Sequence, residues 1–160
     1  MVRVGIGTDK HRLVSSRKLV LGGVEVEFVK GAAGHSDGDV LVHAIIDALL
    51  GAAGLGDIGH HFPDTDPKWK DADSMLLLAR TLQLLESASF VPLNVDATVH
   101  LELPKLGRLK QEMGGKIADT LRIPRHCVNI KAKTGEGVDS IGKGEAVEAI
   151  AIAQVATVGH

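Results

Sequence analysis

Apolar and polar positions alternate at the start of the chain. In "RVGIG" (3–7), Val4 and Ile6 are each followed by a small or polar neighbour, the two-residue period of a strand, with polar "TDKH" (8–11) at or just beyond its end. "KLVLGGVEVEF" (18–28) reads as a hairpin turned on Gly22-Gly23. The period then lengthens. "DVLVHAIIDALLGAAG" (39–54) has the spacing of an amphipathic helix, with Ser36, Asp37 and Asp39 as capping groups and Gly51 or Gly54 as its stop. Residues 54–73, "GLGDIGHHFPDTDPKWKDAD", hold Gly, Asp and Pro in a long loop of the functional kind. "DSMLLLARTLQLLESA" (73–88) is a second helix capped by Asp73 or Ser74. "VPLNVDATVHLEL" (91–103) alternates as a strand, and Pro104 is expected to open a third helix over 105–121. "VNIKAKT" (128–134) is a strand running into the Gly-bearing loop 135–145. "AVEAIAIAQVATV" (146–158) permits helix by its small residues, but its recurring Val and Ile and its missing cap favour a strand.

Strands alternating with helices predict one α/β domain over residues 1–160. The expected form is an α+β two-layer sandwich: a mixed four-stranded sheet, helices on one face and an N-terminal hairpin. Composition narrows the functional classes. The net charge is -2, and no block of Lys or Arg forms a stripe for nucleic acid or a membrane surface. No apolar run approaches the roughly 20 residues of a membrane helix, and the start lacks a signal peptide's apolar segment, so a cytoplasmic protein is expected. One cysteine, Cys127, excludes an internal disulfide and a CxxC zinc site. Aromatics are few (Phe28, Phe62, Phe90, Trp69), so the core must rely on Val, Ile, Leu and Ala, and assembly with further copies would add burial.

Asp9 and His11 are spaced i, i+2, which in extended backbone puts both side chains on one face. His43, presented rigidly by the first helix, can supply a third ligand, and three N/O ligands with a vacant fourth position match a catalytic zinc site. Asp39 and Asp47 lie four residues either side of His43, where one of them could accept the second imidazole proton. The alternative is a hydrogen-bonded helix histidine flanked by acids. His35 and Ser36 precede that helix, whose free N–H groups suit a phosphate, although Ser36 can equally act as a cap. Asp37 and Asp39 would repel the anion unless a cation intervenes. Gly56 and Gly59 around Asp57 allow close approach to a hydroxyl-rich ligand, and the EF-hand pattern is absent. His60 and His61 read as exposed loop residues. Lys131, Lys133, Thr134, Glu136 and Lys143 could grip phosphate and a magnesium ion, or form a solvated turn.

Taken together, "GTDKHRL", "GHSDGDVLVHAIIDALLGAAGLGDIG", "HFPDTDP", "DAD", "NVDATV", "PKL" and "KAKTGEG…GKGEA" closely resemble the 2-C-methyl-D-erythritol 2,4-cyclodiphosphate synthase family over essentially the whole chain. The resemblance implies a homotrimer with three active sites at subunit interfaces, in the non-mevalonate isoprenoid pathway. It implies conversion of 4-diphosphocytidyl-2-C-methyl-D-erythritol 2-phosphate into the 2,4-cyclodiphosphate and CMP. Asp9, His11 and His43 match the zinc ligands (zinc or another divalent transition metal), and Glu136 the magnesium ligand. His35 and Ser36 match substrate contacts, with His35 and Thr134 near the reacting phosphates. Asp57, Ile58, Gly59, Phe62, Pro63, Asp64, Thr65 and Asp66 match the erythritol pocket. Leu101, Pro104, Lys105 and Leu106 match one part of the cytidine site. Ala132, Lys133, Thr134, Gly135 and Glu136 match another part, contributed by a neighbouring subunit. Departures cluster late. Lys133-Thr134-Gly135 stands where many members carry a threonine run, Ser140 near a common aromatic, and Lys143 where many have arginine, whose bidentate fork lysine lacks. Lys143 lies where some members hold an anion near the trimer axis. The reaction is an intramolecular phosphoryl transfer whose nucleophile is already anionic, so the missing Ser/His/Asp set agrees with it. The rival readings are a zinc-dependent phosphohydrolase and a non-catalytic trimeric metal-binding protein.

Overall fold

The computed structural model describes residues 1–159. In chain order it contains β1 (Val2–Val14), β2 (Leu19–Leu21), β3 (Val24–Val26), β4 (Gly31–Ala32), α1 (Val40–Ala53), α2 (Ile58–His61), α3 (Ser74–Ser87), β5 (Phe90–His100), α4 (Leu109–Leu121), β6 (Val128–Lys133), α5 (Asp139–Gly142) and β7 (Ala146–Thr157). Among the described residues the main sheet has five strands rather than four, in the order β4-β1-β7-β5-β6. β5 and β6 are parallel and the other neighbours antiparallel, so the sheet is mixed. The extra strand is β4, two residues paired with Leu13 and Val14. An element that short leaves no alternation to read. β2 and β3 form the expected hairpin, with Gly22 and Gly23 both at positive φ, as a type I′ turn requires. The terminal apolar segment is strand β7 throughout.

Three expected boundaries move. β1 does not end at the "TDKH" stretch but runs on to Val14, carrying Asp9 and His11 within the sheet. The third helix begins at Leu109, not after Pro104, because Gly107 has a φ of 48°, outside the helical region. The loop 54–73 is not structureless: Asp57 caps α2, and Asp66 caps a short 3₁₀ turn, Pro67–Trp69.

α1 is not amphipathic in its setting. Every residue from Val40 to Ala53 is buried except Asp47 and Gly51. It lies between the sheet and α3, and it reaches the sheet because β1 and β7 present small residues inward. A Cβ on Gly5 would sit 2.1 Å from Ala48 O, and one on Gly7 only 1.9 Å from Ala44 O. Ala149, Ala151 and Ala153 of β7 continue this floor and are fully buried. Gly5 and Gly7, with Asp9 and His11, thus form the inner face of β1, while Val2, Val4 and Ile6 point away from the helices and stay exposed. Among the described residues the core is Val, Leu, Ile and Ala with Met113, and Phe62 and Trp69 are its buried Phe and Trp side chains. No helix among the described residues is long and apolar enough to cross a membrane.

Candidate metal centre

The close approach at Gly7 determines what lies one pleat along. Ala44 rests on Gly7, so the next side chain back along α1, His43, meets the next inward residue of β1, Asp9. His43 Nδ1 is 3.0 Å from Asp9 Oδ2, and His11 Nε2 is 3.0 Å from the same oxygen. The three ligand atoms lie within 4.8 Å of one another. His11 Nε2 is buried without a hydrogen-bond partner among the described residues, although it stands close to Asp9. A buried ring nitrogen aimed at a carboxylate oxygen and a second imidazole, with its own hydrogen bond unmade, is the arrangement a divalent cation completes. The donor set, two imidazole nitrogens and one carboxylate oxygen, suits zinc or a similar transition metal.

Charge in the cluster agrees. Burial pushes the Asp9 carboxyl up, but His11 and His43 beside it outweigh burial and hold it well below the usual carboxylate range. Burial pulls the His43 imidazole down, yet Asp9, with Asp39 and Asp37 behind it, keeps it above its ordinary value. Asp9 is therefore held in its ionised form, the form in which a carboxylate ligates a metal.

Neither flanking acid orients His43 as expected. Asp39 is fully buried and accepts from the backbone N–H groups of Gly22, Gly23 and Val42, capping α1 and tying it to the hairpin turn. Asp47 accepts from Ile58 N at 2.7 Å and fixes the start of α2. The second imidazole nitrogen, His43 Nε2, instead meets Ser74 Oγ at 2.8 Å and Ser36 Oγ at 3.2 Å. Ser74 read only as an alternative cap in the sequence, because nothing local to it points at residue 43. Arg17 was also missed: its guanidinium donates to Gly34 O at 2.9 Å and Ser36 O at 2.7 Å, clamping the segment that carries His35 and Ser36. That segment passes the His11 ring, since a Cβ on Gly34 would lie 3.3 Å from His11 Cε1.

The remaining expected residues fall into two groups. His35, half-buried, has Nε2 3.4 Å from Asp66 O, so it faces the 57–66 segment. Within that segment Phe62 packs edge-on to Trp69 at 5.1 Å and anchors the loop, while Asp64 and Thr65 are exposed and Pro63 and Asp66 half-buried. Asp57 holds His60 N at 2.9 Å, Ile58 is half-buried and Gly59 exposed. His60 is exposed, and His61, half-buried, bonds Leu55 O. The second group lies at the ends of β5 and β6. Leu101 and Leu106 are buried, Pro104 half-buried and Lys105 exposed. Leu101 N bonds Lys133 O at 2.9 Å, and Gly135 N bonds Glu102 Oε2 at 2.8 Å, so the 101–106 and 132–136 stretches are neighbours. Ala132 and Thr134 are half-buried and Glu136 is exposed, with Thr134 Oγ1 donating to Glu136 Oε1 at 3.3 Å. Lys143 is exposed and follows α5.

The sheet register separates the groups. Asp9 pairs with Ala149, Ala149 with Val99, and Val99 with Ala132. Three strand spacings put the metal ligands about 14 Å from the 132–136 stretch within one chain.

A model of the YgbB family matches residues 2–156. The curated 2-C-methyl-D-erythritol 2,4-cyclodiphosphate synthase of Desulfosudis oleivorans is 54% identical over 96% of this chain and 92% of its own length. A solved 2C-methyl-D-erythritol-2,4-cyclodiphosphate synthase, in a CDP-bound form, superposes with a TM-score of 0.88 at 37% identity, covering 96% of this chain and 100% of that one. The bifunctional IspDF of Campylobacter jejuni superposes with a TM-score of 0.94 at 40% identity, covering 99% of this chain but 43% of that longer one.

Proposed function

The chain belongs to the YgbB family, and on that premise we propose how its residues carry out the family's reaction. It converts 4-diphosphocytidyl-2-C-methyl-D-erythritol 2-phosphate into 2-C-methyl-D-erythritol 2,4-cyclodiphosphate with release of CMP, a step of isoprenoid synthesis. An oxygen of the 2-phosphate bonds to the β-phosphorus, the bond from that phosphorus to the α–β bridging oxygen breaks, and CMP leaves with the bridging oxygen. By class this makes the enzyme a phosphorus–oxygen lyase. The observation that carries the reading is the convergence of Asp9, His11 and His43 on one point beside the His35–Ser36 segment.

No general base is needed, because the attacking oxygen is already anionic. The obstacle is bringing two anionic groups together in line. Asp9, His11 and His43 would hold a zinc-like cation, which they fit by donor chemistry, and Glu136 would offer one carboxylate to magnesium; bound there the ions would supply positive charge against the phosphate oxygens. The chain's own groups do the rest. Ser36 binds phosphate, and His35 and Thr134 donate to charge growing on the transferring group. Asp57, Ile58, Gly59 and Phe62 to Asp66 enclose the erythritol end, and Leu101 to Leu106 with Ala132 to Glu136 take the cytidine. Holding both ends of one flexible molecule contributes proximity of several kcal/mol on an order-of-magnitude scale.

One substrate must span both groups, yet the register places them far apart in a single chain. This supports a homotrimer in which one subunit's 132–136 stretch completes its neighbour's metal site. The face of the sheet away from the helices supports the same reading: Ile6 and Ile152 are paired neighbours, 66% and 46% exposed, with Val4 at 61% beside them. An apolar strip of that kind is unusual on a monomer.

Incubation of the purified, zinc-loaded protein with the diphosphocytidyl substrate tests the proposal. Cyclic diphosphate plus CMP is the expected outcome; a linear phosphate product would assign a hydrolase, and no turnover a binding protein. His43→Ala should lose both zinc and turnover while staying folded. Full activity of metal-free His43→Ala would remove the metal from the mechanism.

A further inference from the structure

We infer that Ser74, held by Asp37, is a positioning residue that decides which nitrogen of His43 faces the metal. The inference rests on the reading of Asp9, His11 and His43 as metal ligands, and it is a count of protons. A carboxylate at neutral pH only accepts hydrogen bonds. Asp37 Oδ2 accepts the Ser74 backbone N–H at 2.9 Å, and its Oδ1 accepts the Ser74 hydroxyl and the Asp39 N–H. The single hydroxyl proton of Ser74 is thereby committed to Asp37. Toward His43 Nε2, at 2.8 Å, Ser74 Oγ can then act only as acceptor, so Nε2 must carry the proton. Ser36 Oγ, 3.2 Å from the same nitrogen, can share that proton. A neutral imidazole protonated on Nε2 has its lone pair on Nδ1. That is the nitrogen 3.0 Å from Asp9 Oδ2.

Burial makes the assignment strict. Ser74 is 0% exposed, Ser36 8% and His43 9%, so little water reaches Nε2 to offer a competing bond. The pair also joins three separate parts of the chain. Asp37 sits one residue beyond Ser36, its N–H bonds Ala72 O, and Asp71 N bonds His35 O, so the phosphate-facing segment is laced to the start of α3. The ring orientation of His43 on α1 is thus set by residues from both other segments. It also resolves what Asp37 does beside an anion site: its charge is directed at Ser74 and not at phosphate.

Two measurements test the inference. In zinc competition against a chromogenic chelator, Ser74→Ala should lose about 10- to 100-fold in affinity, the usual cost of losing a hydrogen bond behind a ligand. Circular dichroism of the zinc-free variant checks that it is folded. A folded Ser74→Ala within twofold of the parent would overturn the inference. Independently, ¹⁵N NMR of zinc-loaded parent should show His43 protonated at Nε2 with the metal on Nδ1, and zinc on Nε2 would overturn it even where the alanine variant does not fold. A parent that takes up no zinc would instead overturn the metal reading beneath, and the inference with it.

Discussion

Gly7→Ala is a single methyl placed where fold and site meet. The new Cβ would stand 1.9 Å from Ala44 O and 2.6 Å from Ala48 N, both backbone atoms of α1. Carbon and oxygen normally approach no closer than about 3.3 Å, so α1 must retreat by about 1.4 Å or β1 must bend away. Neither atom can rotate aside, as a side chain would. Overpacking of this kind costs about 3 kcal/mol, which for a chain of this size lowers the melting temperature by on the order of 10 °C. The retreat also carries His43, adjacent to Ala44, away from Asp9. Metal ligands tolerate about 0.2 Å, so zinc affinity should fall by at least about 100-fold, more than the stability loss explains. The assay is a thermal melt of the zinc-free protein paired with chelator competition. Gly51→Ala is the control: it is on the same helix, where a Cβ would meet only Ile6 O at 4.0 Å, and it should be neutral or gain up to about 1 kcal/mol. A Gly7→Ala protein that melts and binds zinc like the parent would refute the account of how α1 is seated.

On the proposed trimeric assembly, Ile6→Lys should give monomers in sedimentation velocity and abolish turnover with Asp9, His11 and His43 intact; a trimeric, active variant would remove the sheet face from the interface. Asp39, pushed up to about 6 by burial against the hydrogen bonds from Gly23, Val42 and Gly22, takes up a proton more readily in the folded state than in the unfolded one. Its contribution is therefore fully present below about pH 4 and is lost as pH rises through 6, by about 3 kcal/mol. Measured by denaturant unfolding, the parent's stability relative to Asp39→Asn should fall by that amount between pH 4 and 6.5 and stay level above 7, and a flat difference would contradict the buried charge. Phe62→Ala removes the ring packed on Trp69 and should cost about 3 kcal/mol, with faster proteolysis of the 57–66 segment; unchanged cleavage would show that something else anchors the loop.

Much of the architecture was legible because it is encoded locally. The two-residue period of 3–7, the Gly22-Gly23 turn and the helical period from Val40 each report on neighbours in the chain. The i, i+2 spacing of Asp9 and His11 placed both on one strand face regardless of what lay opposite. β4 escaped notice because two residues carry no period, and the start of α4 because the φ of Gly107 is a property of the folded loop. Helical spacing makes either Asp39 or Asp47 a candidate partner for His43, yet Asp39 accepts from Gly22 and Gly23 as well as capping its own helix, and Asp47 accepts from Ile58 N, contacts brought in by other segments.

The sequence by itself determined which side chains share a strand or helix face, since backbone period follows from covalent geometry. Only the tertiary structure decided what each face meets. It turned the glycines of β1 inward and its valines and isoleucine outward, lowered α1 until His43 reached Asp9, and set Ser74 behind that ring. Those outcomes depend on close packing between segments distant in the chain, a contact no local pattern records.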